Sequence, residues 1–274
     1  MSVSIQGLTV GIGGKNIIDG VDLNISDGER VGLIGQSGSG KSMIGKAMMG
    51  LLPYGAQVGG SVELGGVQVV GASDAAVADL RGRYVGMVFQ NPAAALNPVM
   101  NVAKQVALPL ALHYDVSAGE RMERVISMLA KVGLGRDVLD KYPHELSGGQ
   151  QQRVGIATAL ITSPRLIIAD EPTTALDSIT QRQIVDLLTS LVDESGASML
   201  FITHDFAVLK RATTRSYVLH EGAIVESGDT LELLASPHTA QARRLVRCAK
   251  ALSLPSADGG VLRDDSGVRE AFRG

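Results

Sequence analysis

At 274 residues the chain is long enough for one large domain, or for one domain with an inserted subdomain. Its 45% apolar and 19% charged residues are those of a globular protein with ample core, and a net charge of −3 leaves no basic footprint, so nucleic acid is excluded as the expected partner. A single cysteine, Cys248, rules out an internal disulfide and a clustered-cysteine metal site.

No stretch approaches the ~18 unbroken apolar residues of a membrane-spanning helix. The best run, Val102 to Leu112, is cut by Lys104, Gln105 and Pro109. The opening residues MSVSIQGLTV lack the charged start and long apolar stretch of a secretory signal, so a chain that stays inside the cell is expected.

In chain order, Ser2 to Val10 alternates and ends in Gly11-Ile12-Gly13-Gly14, which reads as a strand and a turn. Val21 to Ile25 reads as a second strand, stopped by Asp27-Gly28. Arg30 to Ile34 is a short apolar strand of the kind found at the centre of a parallel sheet. A helix is expected from Lys41 to Leu52, ended by Pro53, and then an antiparallel hairpin over Gly59 to Val70 with Gly65-Gly66 as its turn. From Pro92 to about Leu160 the pattern is helical, with Met122, Val125, Met128, Leu129 and Val132 on one face of an amphipathic segment from Ala118. A second helix of this stretch begins near Gly149 and runs to Ile161. Strands return at Leu166 to Ala169 and Ser198 to Thr203, separated by a helix over Thr180 to Val192. This alternation predicts an α/β fold with a mainly parallel sheet covered by helices. A short helix (Leu231 to Leu234), a final helix to about Ala251 and a polar, glycine-rich tail complete the chain, which shows no internal repeat.

The chemistry is concentrated in a few positions. Gly35-Gln36-Ser37-Gly38-Ser39-Gly40-Lys41-Ser42 follows a strand and opens a helix, the context in which glycines let backbone N–H groups cradle phosphate oxygens. Lys41 supplies a charge to the β- and γ-phosphates, Ser42 is a Mg²⁺ ligand, and Met43 follows them in the nucleotide-binding segment. Asp170 closes an apolar strand, which brings a Mg²⁺-organising carboxylate to the sheet edge beside the phosphates. Glu171 is then placed to accept a proton from an attacking water. Gln90, after the apolar strand Val85 to Phe89, is a neutral amide able to reach metal and water, and His204, at a strand end, is placed for the γ-phosphate. Leu146-Ser147-Gly148-Gly149-Gln150 combines a hydroxyl, two glycines and a helix start, which makes a second anion site. One chain has no need of two γ-phosphate sites for one nucleotide, so Ser147 and Gly149 are expected to close over the ATP of a second chain.

Taken together these residues resemble the ATP-binding cassette family over roughly Val3 to Leu252. In that family's terms the chain has a Walker A loop at Gly35–Ser42, a Q-loop at Gln90, a signature at Leu146–Gln150 and a Walker B strand ending at Asp170. Catalytic Glu171, a D-loop at Ala175-Leu176-Asp177 and a switch histidine, His204, complete the set. The resemblance implies a P-loop NTPase (RecA-like) core with a mainly parallel sheet, an antiparallel β subdomain and an inserted α-helical subdomain. The domain expected is a nucleotide-binding unit over 1–235, its helical subdomain at about 92–160, followed by a helical extension over 236–252 and a flexible tail over 253–274. It also implies ATP and Mg²⁺ as cofactors and ATP hydrolysis coupled to transport.

Narrower features, the run Met48-Met49-Gly50-Leu51-Leu52-Pro53, Phe89-Gln90-Asn91-Pro92 with Leu96-Asn97-Pro98, and the late Pro237-His238-Thr239, resemble the peptide and nickel importer branch. That resemblance implies a second cassette ATPase, usually a different chain, two transmembrane permeases and, indirectly, an extracytoplasmic binding protein. It also implies a peripheral place on the inner face of the cell membrane. The alternative is a cassette ATPase of a soluble enzyme assembly, such as one for phosphonate breakdown. One departure concerns the base: the family stacks adenine on an aromatic side chain where this chain has Ile12, so poor discrimination between ATP and GTP is expected.

Overall fold

The computed structural model describes residues 2–174 and 176–253. Two sheets make up the frame. The first is antiparallel, formed by β1 (Val3–Ile12), β2 (Lys15–Ile25), β4 (Gln57–Leu64) and β5 (Val67–Gln68) in the order β2-β1-β4-β5. The second holds β3 (Arg30–Gly35), β6 (Val85–Val88), β7 (Leu166–Asp170), β8 (Ser198–Thr203), β9 (Arg215–His220) and β10 (Ala223–Asp229) in the order β10-β9-β3-β8-β7-β6. All of its pairings are parallel except β10 with β9. β7 and β8 are buried at every position, which is why each carries an apolar run, Leu166–Ala169 in β7 and Met199–Ile202 in β8.

Turn chemistry sets several boundaries. β1 extends two residues past the expected Val10, because Gly13 and Gly14, at φ +57° and +79°, make a two-residue hairpin turn between paired Ile12 and Lys15. The helix α1 (Lys41–Met48) stops short of the expected Leu52. Gly50 adopts φ +63°, its N–H donates to Ala47 O, and the Leu51 N–H donates to Lys46 O, so a glycine cap ends the helix before Pro53 is reached.

Between β6 and β7 the chain is helical, with α3 (Pro92–Ala95), α4 (Val102–His113), α5 (Ala118–Lys131) and α6 (Gly148–Leu160). Val125, Leu129 and Val132 are buried as the periodicity of α5 requires, whereas Met122 lies exposed at the rim of that face. α2 (Asp74–Leu80), the longer α7 (Ser178–Ser195), α8 (Phe206–Ala212), α9 (Thr230–Ala235) and α10 (Ala240–Ser253) complete the described helices. Of the expected tail, residues 254–274 lie outside the described residues, as does Ala175 of the expected D-loop.

One apolar cluster joins α4, α5, α6 and α7 to β7 and β8, centred on side chains such as Phe201 and Leu110. A second joins the antiparallel sheet to β3 and α1, with Ile5, Leu64, Ile44 and Met48 fully buried. The two clusters clamp the central strands from either side, fixing the strand ends on which the site is built.

Candidate functional site

Parallel pairing aligns the carboxyl ends of four strands at one edge. Ile34 of β3 is paired with Thr203 of β8, Asp170 of β7 with Ile202, and Val88 of β6 with Ala169. The residues that follow those ends are the glycine loop, His204, Glu171 and Gln90, so register alone gathers the expected groups at one place. They line an open cleft of about 500 Å³ whose walls include Ser37, Gly38, Gly40, Lys41, Ser42, Met43, Gln90, Glu171 and His204.

The floor of this cleft is the glycine loop. Gly38 and Gly40 have φ +78° and +104°, a backbone conformation that side chains disfavour. A Cβ on Gly35 would lie 2.3 Å from Leu219 O, and one on Gly40 would lie 2.5 Å from Ile18 Cδ1, so the loop is held against β9 and β2 with no room to spare. Gly40 caps α1 without any side-chain hydrogen bond, leaving the helix N-terminus open toward the cleft. Ser39 is buried below, its Oγ without a hydrogen-bond partner among the described residues.

Lys41 is 6% exposed, and its Nζ donates to Gly35 O at 3.0 Å and Gln36 O at 2.9 Å. Burial pushes its pKa down, opposed by the negative charges of Glu171 and Asp170. The Ser42 hydroxyl donates to Asp170 Oδ1 at 3.0 Å. Burial raises the pKa of Asp170, the Ser42 hydrogen bond works against that rise, and the Glu171 charge adds to it.

Glu171 is the point of convergence. Its Oε2 accepts from Gln90 Nε2 at 3.2 Å and from Thr174 Oγ1 at 2.9 Å. Its Oε1 lies 3.2 Å from His204 Nδ1 and 3.8 Å from Lys41 Nζ. The residue has φ +44°, which costs a non-glycine residue roughly 1–2 kcal/mol. Its N–H donates across the sheet edge to Ile202 O at 2.9 Å, and that bond helps hold the backbone in place.

Two cleft residues escaped the sequence reading. Ile17, on β2, lines the cleft, whereas Ile12 is half-buried beside the Gly13–Gly14 turn and is not part of its lining. Thr174 lines it as well, three residues after Glu171, where a hydroxyl is ordinarily read as a local turn cap.

Ser147, Gly148, Gly149 and Gln150 stand apart from the cleft at the start of α6. The Gln150 N–H donates to Ser147 Oγ, and the Ser147 N–H donates to Gln150 Oε1, a reciprocal capping pair. Ser147 and Gly148 are exposed. Asp177 caps α7, accepting from the N–H groups of Ile179 and Thr180.

The floor suits a polyphosphate: positive-φ glycines, an uncapped helix start and a buried ammonium converge on it. Ser42 and Asp170 also suit Mg²⁺, which takes one or two carboxylates together with substrate phosphates and does not require an all-protein cage. No group of three or more His, Cys, Asp or Glu side chains is arranged to hold a metal among the described residues.

A sequence profile described as ABC transporter matches residues 18–174. A Brucella ovis protein named for peptide import and ATP binding is 42% identical over 239 residues, covering 84% of this chain and 71% of its own length. The oligopeptide transport ATP-binding protein OppD of Lactococcus lactis subsp. cremoris is 39% identical over 247 residues, covering 89% and 71% respectively. Among solved structures, the dimeric ATP-binding cassette MJ0796 in a post-hydrolysis state with ADP and Pi superposes with a TM-score of 0.75 at 33% identity, over 83% of this chain and 98% of the other. The match of fold, site and sequence over most of the chain places this protein in the ABC transporter family, as one of its ATPases.

Proposed function

We propose that this chain is the ATP-hydrolysing subunit of a membrane importer of peptides. The observation that carries the ATPase part of this reading is the convergence of Gln90, Thr174, His204 and Lys41 on the Glu171 carboxylate above the glycine loop. The names of the relatives, peptide import and oligopeptide transport, support the cargo.

In this reading the backbone from Gly35 to Gly40, with Lys41, Ser42 and Met43, holds the triphosphate. Ser42, Asp170 and Gln90 would hold Mg²⁺, which supplies charge neutralisation at the phosphate oxygens. Glu171 takes the proton of the attacking water, and His204 orients the water and the γ-phosphate from the other side of the carboxylate. Ser147 and Gly149 belong to a second nucleotide, held by a partner cassette; the exposure of Ser147 and the absence of both from the lining of this chain's own cleft support that role. The MJ0796 cassette is dimeric in its ADP and Pi state, which supports closure of two cassettes around nucleotide.

No helix among the described residues is long and apolar enough to cross a membrane. The proposal assigns the crossing to two permease subunits, with this chain peripheral on their cytoplasmic side and a binding protein delivering cargo from outside. Uptake of a labelled peptide tests the reading in cells lacking this chain. Wild-type protein restores uptake, and Glu171→Gln, expected to lower turnover by roughly a hundredfold or more, does not. Peptide uptake that persists unchanged without the chain would overturn the cargo assignment.

A further inference from the structure

Glu171 receives one contact that the roles above do not use. Thr174 Oγ1 donates to Glu171 Oε2 at 2.9 Å, the shortest of the hydrogen bonds made to that carboxylate. The backbone separately closes the same turn, because the Thr174 N–H donates to Glu171 O at 3.2 Å. The turn therefore keeps its backbone closure when the hydroxyl is removed, and what the hydroxyl adds is the direction of the carboxylate.

That direction matters because the two carboxylate oxygens have different surroundings. Oε2 is taken by Thr174 and Gln90, and Oε1 is turned to Lys41 and His204. Gln90 precedes Asn91 and Pro92 in an exposed connection between β6 and α3, and its longer side chain has more rotamers to fix. Thr174 is only three residues from Glu171, half-buried, and its β-branched side chain has few rotamers to lose. Of the two donors it is the fixed one.

We propose that Thr174 is a positioning residue for ATP hydrolysis: its hydroxyl pins Glu171 Oε2 and so keeps Oε1 directed into the cleft. The inference rests on the reading of Glu171 as the base. With or without the Gln90 contact, Thr174 holds the carboxylate in the orientation needed to receive a proton from water. A hydroxyl that merely capped the turn would leave turnover untouched once the fold was intact.

The test is steady-state ATP hydrolysis by the full chain, purified with its assembled partners, for wild type, Thr174→Val, Thr174→Ser and Glu171→Gln, with a melting curve for each. Thr174→Val is expected to lower kcat about tenfold with KM for ATP and melting temperature nearly unchanged, the pattern of lost orientation without lost binding. Thr174→Ser restores most of the rate, because it returns the donor. If Thr174→Val proves unstable, Thr174→Ala, compared with Thr174→Ser, gives the same contrast. A Thr174→Val or Thr174→Ala rate within about twofold of wild type overturns the proposal, as does a loss that the serine variant shares in full. Turnover persisting in Glu171→Gln would instead remove the base itself, a failure distinguishable from that of Thr174 alone.

Discussion

Asp170 lies buried at the end of β7, where its charge has a cost in the resting chain. Burial, chiefly, and the neighbouring Glu171 charge hold its pKa above the ordinary 3.8, with Ser42 only partly offsetting them. A carboxyl with a raised folded pKa binds its proton more tightly folded than unfolded. The stability it contributes is complete below the unfolded value and is lost as pH rises through the folded one. Asp170→Asn is therefore expected to raise the melting temperature of the nucleotide-free chain by a few degrees at neutral pH, with the gain shrinking as pH falls toward 3.8. The same substitution should abolish hydrolysis, because Asn is a poor Mg²⁺ ligand. A gain that grows on acidification would contradict this account of its environment. Such sites are legible in sequence because a residue that ends a parallel strand is delivered to a known edge. Asp170, Glu171, Gln90 and His204 follow from that rule, and Lys41 and Ser42 follow from the glycine loop that opens α1. Thr174 follows from neither, because a hydroxyl three residues after a carboxylate has a bland local explanation, and Ile17 carried no signal at all.

At the scale of the element, the proposed function gives the cap residue of α6 two roles. Ser147 caps the helix through the Gln150 N–H and is also the exposed hydroxyl assigned to the partner's nucleotide. The roles separate by substitution. Ser147→Ala removes the cap and should cost about 1 kcal/mol, a drop of roughly 2–4 °C in melting temperature. Ser147→Asp keeps an oxygen acceptor at the cap and favours the helix dipole, so it should melt at or above wild type. It also places a negative charge where a phosphate would dock, and turnover by the assembled complex should fall further than with alanine. Wild-type turnover in Ser147→Asp would remove Ser147 from the nucleotide and leave only the cap.

The elements themselves were unevenly readable. β7 and β8 declare themselves by the apolar runs Leu166–Ala169 and Met199–Ile202, and the Gly65-Gly66 turn marks the β4–β5 hairpin. α2 buries only Val77, too little for a helical period to stand out, and it is held by the Ser73 cap instead. β10, at the sheet edge, has mostly half-exposed residues and ends in Glu226-Ser227-Gly228-Asp229, a sequence that resembles a loop. The Gly50 cap of α1 was hidden by Pro53, which offered a more obvious stop three residues later.

For the whole molecule, the layout separates two functions in space. The cleft holding Lys41 and Glu171 and the exposed helix start holding Ser147 are parts of one chain that do not meet within it. Under the proposed function, such a chain completes a site by pairing with another cassette and moves cargo by pairing with subunits that cross the membrane. The measurement that tests this most directly is purification of the tagged chain from its own cells in mild detergent, with identification of every subunit that accompanies it. The account predicts a second cassette ATPase and two multi-span permeases. Recovery of soluble enzymes with no membrane subunit would contradict the importer and leave the ATPase alone standing.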